Sequence, residues 1–555
     1  MGKLAVSERW KEYYQKYGWP QILESTARKY PDKEALVFGD TRVTYQEYYD
    51  KVNAWAKGLY AVGVRKNTHV GLWMTNRPEW CFARLAIYKL GAVMIPLHTR
   101  YRAEELKFVL HQGDVAVLIM EDRFLGKIDA ISVLGGLVPG FELFEPGKIA
   151  SEEFPLLKTV VCLGKERFGQ QLKCEEMIER GKDVPLEGLI PSFNMQDTIH
   201  ISYTSGTTGF PKGVETPSSC NVAFCTIRGE LFNLDENSRF LNAIPFFGNI
   251  GMSNMVLPML DGGALVLTGA RFDVKEVLGL IDKERITHTV FVPTMLIDIL
   301  NHPDAGKYNL LSLKRIECSG APVPQKLIQQ VKDTLGISLN NAYGLSEAGG
   351  LSTWVPYGDT AEHVEKSVGI PLPNCELAIK DISTGENLPP KAVGEICTKE
   401  AFPGSQHMKG YYKRPDLTAE CIKDGWLHSG DLGCMDEDNY VYITGRLKEM
   451  FTVGGFNVSP PEIEGFLLSH PDIANATVVG VPDERLGEVG AAFIIPKQGA
   501  KPTQEEIIAF CKKNINEIKV PRYVFFVNEF PLNPQGKVQK FKLKEKAVDD
   551  LGLKG

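Results

Sequence analysis

Tyr203-Thr204-Ser205-Gly206-Thr207-Thr208-Gly209-Phe210-Pro211-Lys212-Gly213-Val214 decides how this chain is read. Five of these twelve residues carry hydroxyls, three are glycine, and a lysine follows a proline. The preceding Thr198-Ile199-His200-Ile201-Ser202 alternates polar and apolar residues, so the stretch is expected to leave the end of a strand. Glycines let a backbone turn tightly and aim several N–H groups at one point. The hydroxyls add donors and Lys212 adds a positive charge, a combination that suits a polyphosphate. A Walker loop is not matched, because Pro211 precedes the lysine and Gly213 follows it. The competing reading is a polar surface loop, since Ser, Thr and Gly are ordinary turn residues.

The rest of the chain narrows the choice. At 555 residues, two or more domains and a large apolar core are expected. Apolar residues make up 43% and the formal charge is −7, so no basic field favours nucleic acid. Eleven scattered cysteines without a C-x-x-C pair argue against a disulfide framework or a zinc site, and fit a reducing compartment. No H-E-x-x-H is present. The first residues lack the apolar core of a signal peptide, and Ser7 stands one place off a myristoylation pattern. No apolar run is long enough to span a bilayer, so a soluble, cytoplasmic protein is expected.

Val70-Gly71-Leu72-Trp73-Met74 reads as a strand, Asn76-Arg77-Pro78-Glu79 as a helix start, and Ala92-Val93-Met94-Ile95-Pro96 as a second strand. That order implies a parallel crossover. A further strand is expected over 116–120, whereas 121–187 yields no assignment. After the opening loop, strands over 264–267, 288–292, 315–319 and 337–340 alternate with helices over 274–283, 293–300 and 324–335. This predicts an α/β fold with mainly parallel sheets flanked by helices. Ligands in such folds sit where loops leave the carboxyl ends of strands, which singles out 204–212, Gly320-Ala321-Pro322 and Tyr343-Gly344-Leu345-Ser346-Glu347. The character changes near Gly445: helices over 462–468 and 504–514 and a strand over 476–481, with a Lys-rich last part over 497–555, predict a small α+β domain from about Arg446 onward. The expected domains are therefore 1–445 and 446–555.

Several residues carry chemistry. Gly344-Leu345-Ser346-Glu347-Ala348 is one residue from a hydrolase nucleophile elbow, but no local pattern marks a downstream acid or histidine. Glu347 also suits Mg²⁺, which in nucleotide sites takes one or two carboxylates plus phosphate oxygens. Asp431 in Gly425-Trp426-Leu427-His428-Ser429-Gly430-Asp431 lies among tight-turn residues, where an acid could accept ribose hydroxyls. Lys537 follows the Pro/Gly loop Pro531-Leu532-Asn533-Pro534-Gln535-Gly536.

In this order and spacing, the stretches 203–214, 343–347, 425–433, 445–464 and 531–537 resemble the adenylate-forming superfamily, in particular its acyl-CoA synthetase branch. The resemblance runs from about Tyr30 to Phe541. It implies activation of a carboxylic acid by ATP to an acyl-adenylate and pyrophosphate, then transfer of the acyl group to coenzyme A. It further implies that Thr204, Ser205, Gly206, Thr207, Thr208, Gly209 and Lys212 hold the β- and γ-phosphates, with Thr204 and Glu347 on Mg²⁺. Gly320, Ala321, Pro322 and Tyr343 would sandwich the adenine, and Asn341, Ala342 and Gly344 would add to the nucleotide site. Ser346 would touch the α-phosphate, and Asp431 with Arg446 nearby would hold the ribose. Lys537 would bridge the carboxylate and the α-phosphate. A mobile C-terminal domain pivoting at Lys448 would then exchange Lys537 for Gly454 and Gly455, whose small size admits pantetheine.

The acid itself is less defined. The expected acyl-pocket loop reads Pro245-Phe246-Phe247-Gly248-Asn249-Ile250-Gly251-Met252, with Ala342 on the floor. Phe246 and Phe247 supply apolar wall, and Gly248 and Gly251 are expected to widen it. The loop has no Arg or Lys, which favours an apolar acid, whether fatty, alicyclic or aromatic. Expected partners are therefore the acid, ATP and coenzyme A, without nucleic acid, and a homodimer is left open. Alternatives are transfer to a carrier protein or another acceptor, and a synthetase-like binding protein without catalysis.

Overall fold

The computed structural model describes residues 4, 6–124, 128–164, 169–189, 194–204, 211–321, 323–454, 456–532 and 537–553. Strand His69–Trp73 lies between Val93–Pro96 and Val117–Glu121, parallel to both. Its crossover helix Pro78–Lys89 starts on proline and is buried at every residue but Glu79. Val117–Glu121 is buried throughout, as expected of a parallel strand covered on both faces. The segment that sequence reading left unassigned completes this sheet: Thr159–Leu163 pairs with Val117–Glu121 and Leu172–Lys173 follows at the edge. On the other side Thr198–Thr204 joins Val93–Pro96 in parallel, Lys212–Pro217 pairs antiparallel with Thr198–Thr204, and Gly410–Tyr411 pairs antiparallel with Lys212–Pro217, making eight strands.

A second, seven-stranded sheet runs Leu339–Asn340, Arg315–Cys318, His288–Phe291, Arg239–Asn242, Ala264–Leu267, Glu34–Phe38, Thr41–Thr44. Every pairing in it is parallel except the last. Helix Val274–Lys283 spans the residues predicted for it, because Asp273 caps it by accepting the Glu276 N–H at 2.9 Å. Helix Ser218–Phe232 is almost wholly buried, and its Arg228 reaches Glu317 on Arg315–Cys318, with Nη2 2.6 Å from Oε2. Ser253 and Asn254 accept from the same guanidinium at 2.7 and 2.8 Å, and Ser319 donates to Glu317 at 2.7 Å. A buried charge pair is tolerated only with such additional partners.

The chain divides into two compact units. The first holds 1–377, 398–427 and 438–440; the second holds 378–397, 428–437 and 441–555. This differs from a single cut after residue 445: strands Cys375–Lys380, Gly394–Glu400 and Trp426–Met435 each carry the chain from one unit into the other. Within the second unit, two apolar clusters draw only on residues from Phe451 onward. They flank a sheet built on Ile473–Asp483 and Gly487–Pro496, the α+β arrangement expected there. Among the described residues no helix is long and apolar enough to cross a membrane.

Candidate active site

The hairpin Thr198–Thr204/Lys212–Pro217 sets Thr204 directly opposite Lys212, both half-buried. Ser205, Gly206, Thr207, Thr208 and Gly209 between them lie outside the described residues, as do Pro322 and Gly455. Lys212 Nζ lies 5.0 Å from the centre of the Tyr411 ring. The Tyr411 hydroxyl donates to Glu347 Oε1 at 2.8 Å, and the Met408 N–H donates to the Glu347 carbonyl at 2.9 Å. Glu347 sits in the short turn Ser346–Ala348 that follows strand Ala342–Leu345. Beside it, Ser346 Oγ accepts from Asn249 Nδ2 at 2.7 Å, while Asn249 Oδ1 accepts from Ser202 Oγ at 3.1 Å. Thr204, Lys212, Ser346 and Glu347 thus come together in the first unit, through two connecting residues.

One of those connectors, Tyr411, is not visible in the sequence as a site residue. Its only signal is tertiary, since Gly410–Tyr411 is a two-residue strand. The other, Asn249, is expected in the acyl wall but uses its amide on the two serines. Burial and the neighbouring Glu347 carboxylate push the Tyr411 phenol well above its ordinary range, which keeps it a proton donor.

Around this cluster the other expected residues separate by environment. Gly320 has φ of +88° and Ala321 is exposed, at the carboxyl end of Arg315–Cys318. Asn341 is buried and donates to the Val364 and Ser367 carbonyls, so its amide secures the backbone below Ala342 and Tyr343. Gly344 is fixed by packing: a Cβ there would meet the Gly350 carbonyl oxygen at 2.1 Å. Phe246 is buried with its ring 5.1 Å from Trp80, and the Asn76 side chain accepts its N–H. Phe247 is half-buried, its ring centre 3.9 Å from that of His98. Burial pushes the His98 imidazole down to about 4, leaving a neutral ring against the phenyl group. Met252 is buried, and its carbonyl accepts from the buried Arg84. A Cβ on Gly251 would meet the Pro245 carbonyl at 2.1 Å, so that glycine serves the turn of the loop, whereas Gly248 has 3.6 Å of clearance from the same oxygen.

Asp431, Arg446, Lys448, Gly454 and Lys537 belong to the second unit. Trp426–Met435 is a strand rather than the expected tight turn, with Gly430 at φ +72° and a register shift at Leu432/Gly433. Asp431 is buried and lies opposite Arg446, whose Nε is 2.9 Å from Oδ1. The bend before it is braced by Glu395, which accepts the Gly430 N–H at 2.9 Å and lies 2.7 Å from His428 Nδ1. Lys448 occupies the single turn Leu447–Glu449 and is exposed, as is Lys537. Gly454 has φ of +57° and donates to the Leu486 carbonyl.

Comparison with known proteins identifies the family. The family model described as AMP-binding enzyme matches residues 23–412, and that of the AMP-binding enzyme C-terminal domain matches 462–537. The chain is 37% identical to the putative acyl-CoA synthetase YngI of Bacillus subtilis over 96% of this chain and 97% of that one. It is 34% identical to the mitochondrial medium-chain acyl-CoA ligase ACSF2 of Danio rerio, over 96% and 89% respectively. Among solved structures, the anthranilate CoA ligase AuaEII in complex with anthranoyl-AMP superposes with a TM-score of 0.82 at 25% identity, covering 98% of this chain and all of that one. The two-part match, spanning both the hairpin over 198–217 and the C-terminal sheet, shows that the chain belongs to the AMP-binding enzyme family, as an adenylate-forming ligase of the acyl-CoA synthetase type.

Proposed function

We propose that the protein joins an apolar carboxylic acid (fatty, alicyclic or aromatic) to coenzyme A through an acyl-adenylate. The observation that carries this reading is the continuity from Phe247 through Asn249 to Ser346 and Glu347. An apolar wall on the Pro245–Met252 loop thereby meets the turn assigned to the α-phosphate. The wall is built from Phe246, Phe247 and a neutral His98, none of which would pair with a second carboxylate on the acid.

The first half-reaction forms a bond between a carboxylate oxygen and the α-phosphorus and breaks the bond from that phosphorus to the bridging oxygen of pyrophosphate. It brings two anions together, so preorganised positive charge and donors lower its barrier. Lys212 is assigned to the departing phosphates and Lys537 to the carboxylate and α-phosphate. Asp431 is assigned to the ribose hydroxyls, with Arg446 fixing its orientation. Thr204 and Glu347 offer a hydroxyl and a carboxylate, a hard oxygen set that fits Mg²⁺. When bound, that ion would neutralise phosphate charge. In the second half-reaction the thiolate of coenzyme A attacks the acyl carbon and AMP leaves.

Residues after Lys448 are assigned to rotate between the two steps. The clusters that begin at Phe451 support this, because they give that segment a core of its own. The test is to supply ATP, Mg²⁺, coenzyme A and a panel of fatty, alicyclic, aromatic and dicarboxylic acids, and to follow AMP and pyrophosphate. Release of ADP and phosphate sinks the reaction type, and preference for a dicarboxylic acid sinks the substrate class.

A further inference from the structure

We infer that Tyr411 is a positioning residue for adenylation: its hydroxyl fixes Glu347 Oε1 so that Oε2 faces the metal, and its ring steers the Lys212 ammonium. The inference rests on Glu347 being the metal carboxylate proposed above.

Three independent contacts converge on this side chain. Its backbone is locked to the strand that carries Lys212, with Val214 opposite Tyr411, the Lys409 N–H on the Glu215 carbonyl and the Tyr412 N–H on the Gly213 carbonyl. Lys212 is two residues from Val214, and such diagonal positions lie within reach of long and aromatic side chains. The ammonium 5.0 Å from the ring centre is within range of a cation–π attraction. From the other side, the hydroxyl holds Glu347 at 2.8 Å while Met408, three residues earlier, holds the Glu347 backbone. One short strand therefore ties a carboxylate and a lysine that lie 135 positions apart in sequence.

An isolated carboxylate rotates between several orientations, only some of which present an oxygen to a cation. The hydrogen bond from the Tyr411 hydroxyl selects one of them, which lowers the reorganisation needed when Mg²⁺ and ATP arrive. The ring acts differently. It holds the Lys212 ammonium beside the ring without a counter-ion that would compete with phosphate. A carboxylate in place of Tyr411 would neutralise Lys212, so an aromatic ring with a single hydroxyl serves both partners.

Two substitutions separate these tasks. Tyr411→Phe keeps the ring and removes the hydroxyl, whereas Tyr411→Leu removes both. Mn²⁺, standing in for Mg²⁺, is titrated into the full-length protein with a non-hydrolysable ATP analogue and followed by electron paramagnetic resonance. The Mg²⁺ dependence and ATP KM of ATP–pyrophosphate exchange are measured in parallel. Loss of one hydrogen bond to a charged group predicts about tenfold weaker Mn²⁺ binding in Tyr411→Phe, and a Mg²⁺ requirement raised by a similar factor. Saturating Mg²⁺ should restore the exchange rate, which a merely structural role would not allow. Tyr411→Leu should in addition raise the ATP KM about threefold at saturating Mg²⁺. Weakened Mn²⁺ binding in Glu347→Gln with unchanged binding in Tyr411→Phe overturns the role of Tyr411 alone. Unchanged binding in both overturns the metal assignment of Glu347, and this role with it. A rate loss in Tyr411→Phe that no Mg²⁺ concentration restores also overturns the inference.

Discussion

Arg446 faces Asp431 across an antiparallel strand pair, with its Nε 2.9 Å from Oδ1, and it is the exposed member of the pair. An ion pair with one partner in solvent contributes only about 0–1 kcal/mol to folding. The pairing therefore orients the carboxylate more than it stabilises the strands. Asp431→Asn should leave the urea midpoint nearly unchanged yet raise the ATP KM about tenfold, the scale of a charge-assisted hydrogen bond. A stability loss without a change in KM would assign Asp431 to the fold alone.

The buried Arg228–Glu317 pair predicts the opposite balance. Removing one partner from a buried pair costs about 3–5 kcal/mol, because the other charge is left without compensation. Glu317→Ala should lower stability by that amount in urea unfolding. The double substitution Arg228→Met/Glu317→Leu should recover most of it, and a double variant as weak as the single one would refute the charge argument.

Gly344 lies between paired backbones, two residues before Ser346. Gly344→Ala must displace the Gly350 strand, and overpacking of this kind costs about 1–3 kcal/mol. Because Ser346 and Glu347 follow directly, the adenylation rate should fall along with the melting temperature. Full activity in a stably folded Gly344→Ala would show that the turn tolerates the shift.

Four histidines of the first unit give an acid limit. Burial pushes His98, His288 and His407 down to about 4 and His200 to about 3. Each is neutral when folded and protonated when unfolded between those values and its ordinary 6.5. The unfolded chain thus binds more protons in that window, and stability falls as pH drops from 6.5 toward 4, by up to about 1.4 kcal/mol per pH unit for each group. Urea midpoints measured from pH 7 to pH 4 check this. His200→Gln should flatten the slope, and an unchanged slope would remove that residue from the account.

Lys537 and Gly454 test the two half-reactions. Lys537→Ala should slow acyl-adenylate formation by roughly 10²–10³, the usual effect of removing one preorganised donor, while supplied acyl-adenylate is still converted to thioester. At Gly454, φ of +57° means that any side chain adds strain as well as bulk. Gly454→Asn, which tolerates that conformation, is therefore the control for Gly454→Trp. Thioester formation lost in Trp but kept in Asn would be steric. Equal damage to both half-reactions in Lys537→Ala and Gly454→Trp refutes the division of labour.

What could be read from the sequence follows the range of the forces involved. Val117–Glu121 and Ala264–Leu267 announce themselves as apolar runs because both their faces are covered, and the helix over 274–283 carries its own cap at Asp273. Residues 204–212, Glu347, Asp431 and Lys537 stand out as candidates through local motifs. Tyr411 and the structural role of Asn249 do not, since each depends on partners far away in sequence. The strand at Trp426–Met435 was masked by Gly425 and Gly430, which read as turn residues but serve a bent strand. Two domains are expected from the sequence, but the bounds of the two units differ from a cut after residue 445, because the chain passes between them inside strands, with no linker composition to mark the place.

The pairing of Lys212–Pro217 with Gly410–Tyr411 also sets an order of events during synthesis. The outer edge of that hairpin is completed by residues made about two hundred positions later. Until they leave the ribosome, the hairpin presents an unpaired strand edge, the kind of surface on which nascent chains associate wrongly. The last strand to close the sheet is also the one that delivers Tyr411 to Glu347, so completing the protected edge and completing the site are one step in the birth of this protein.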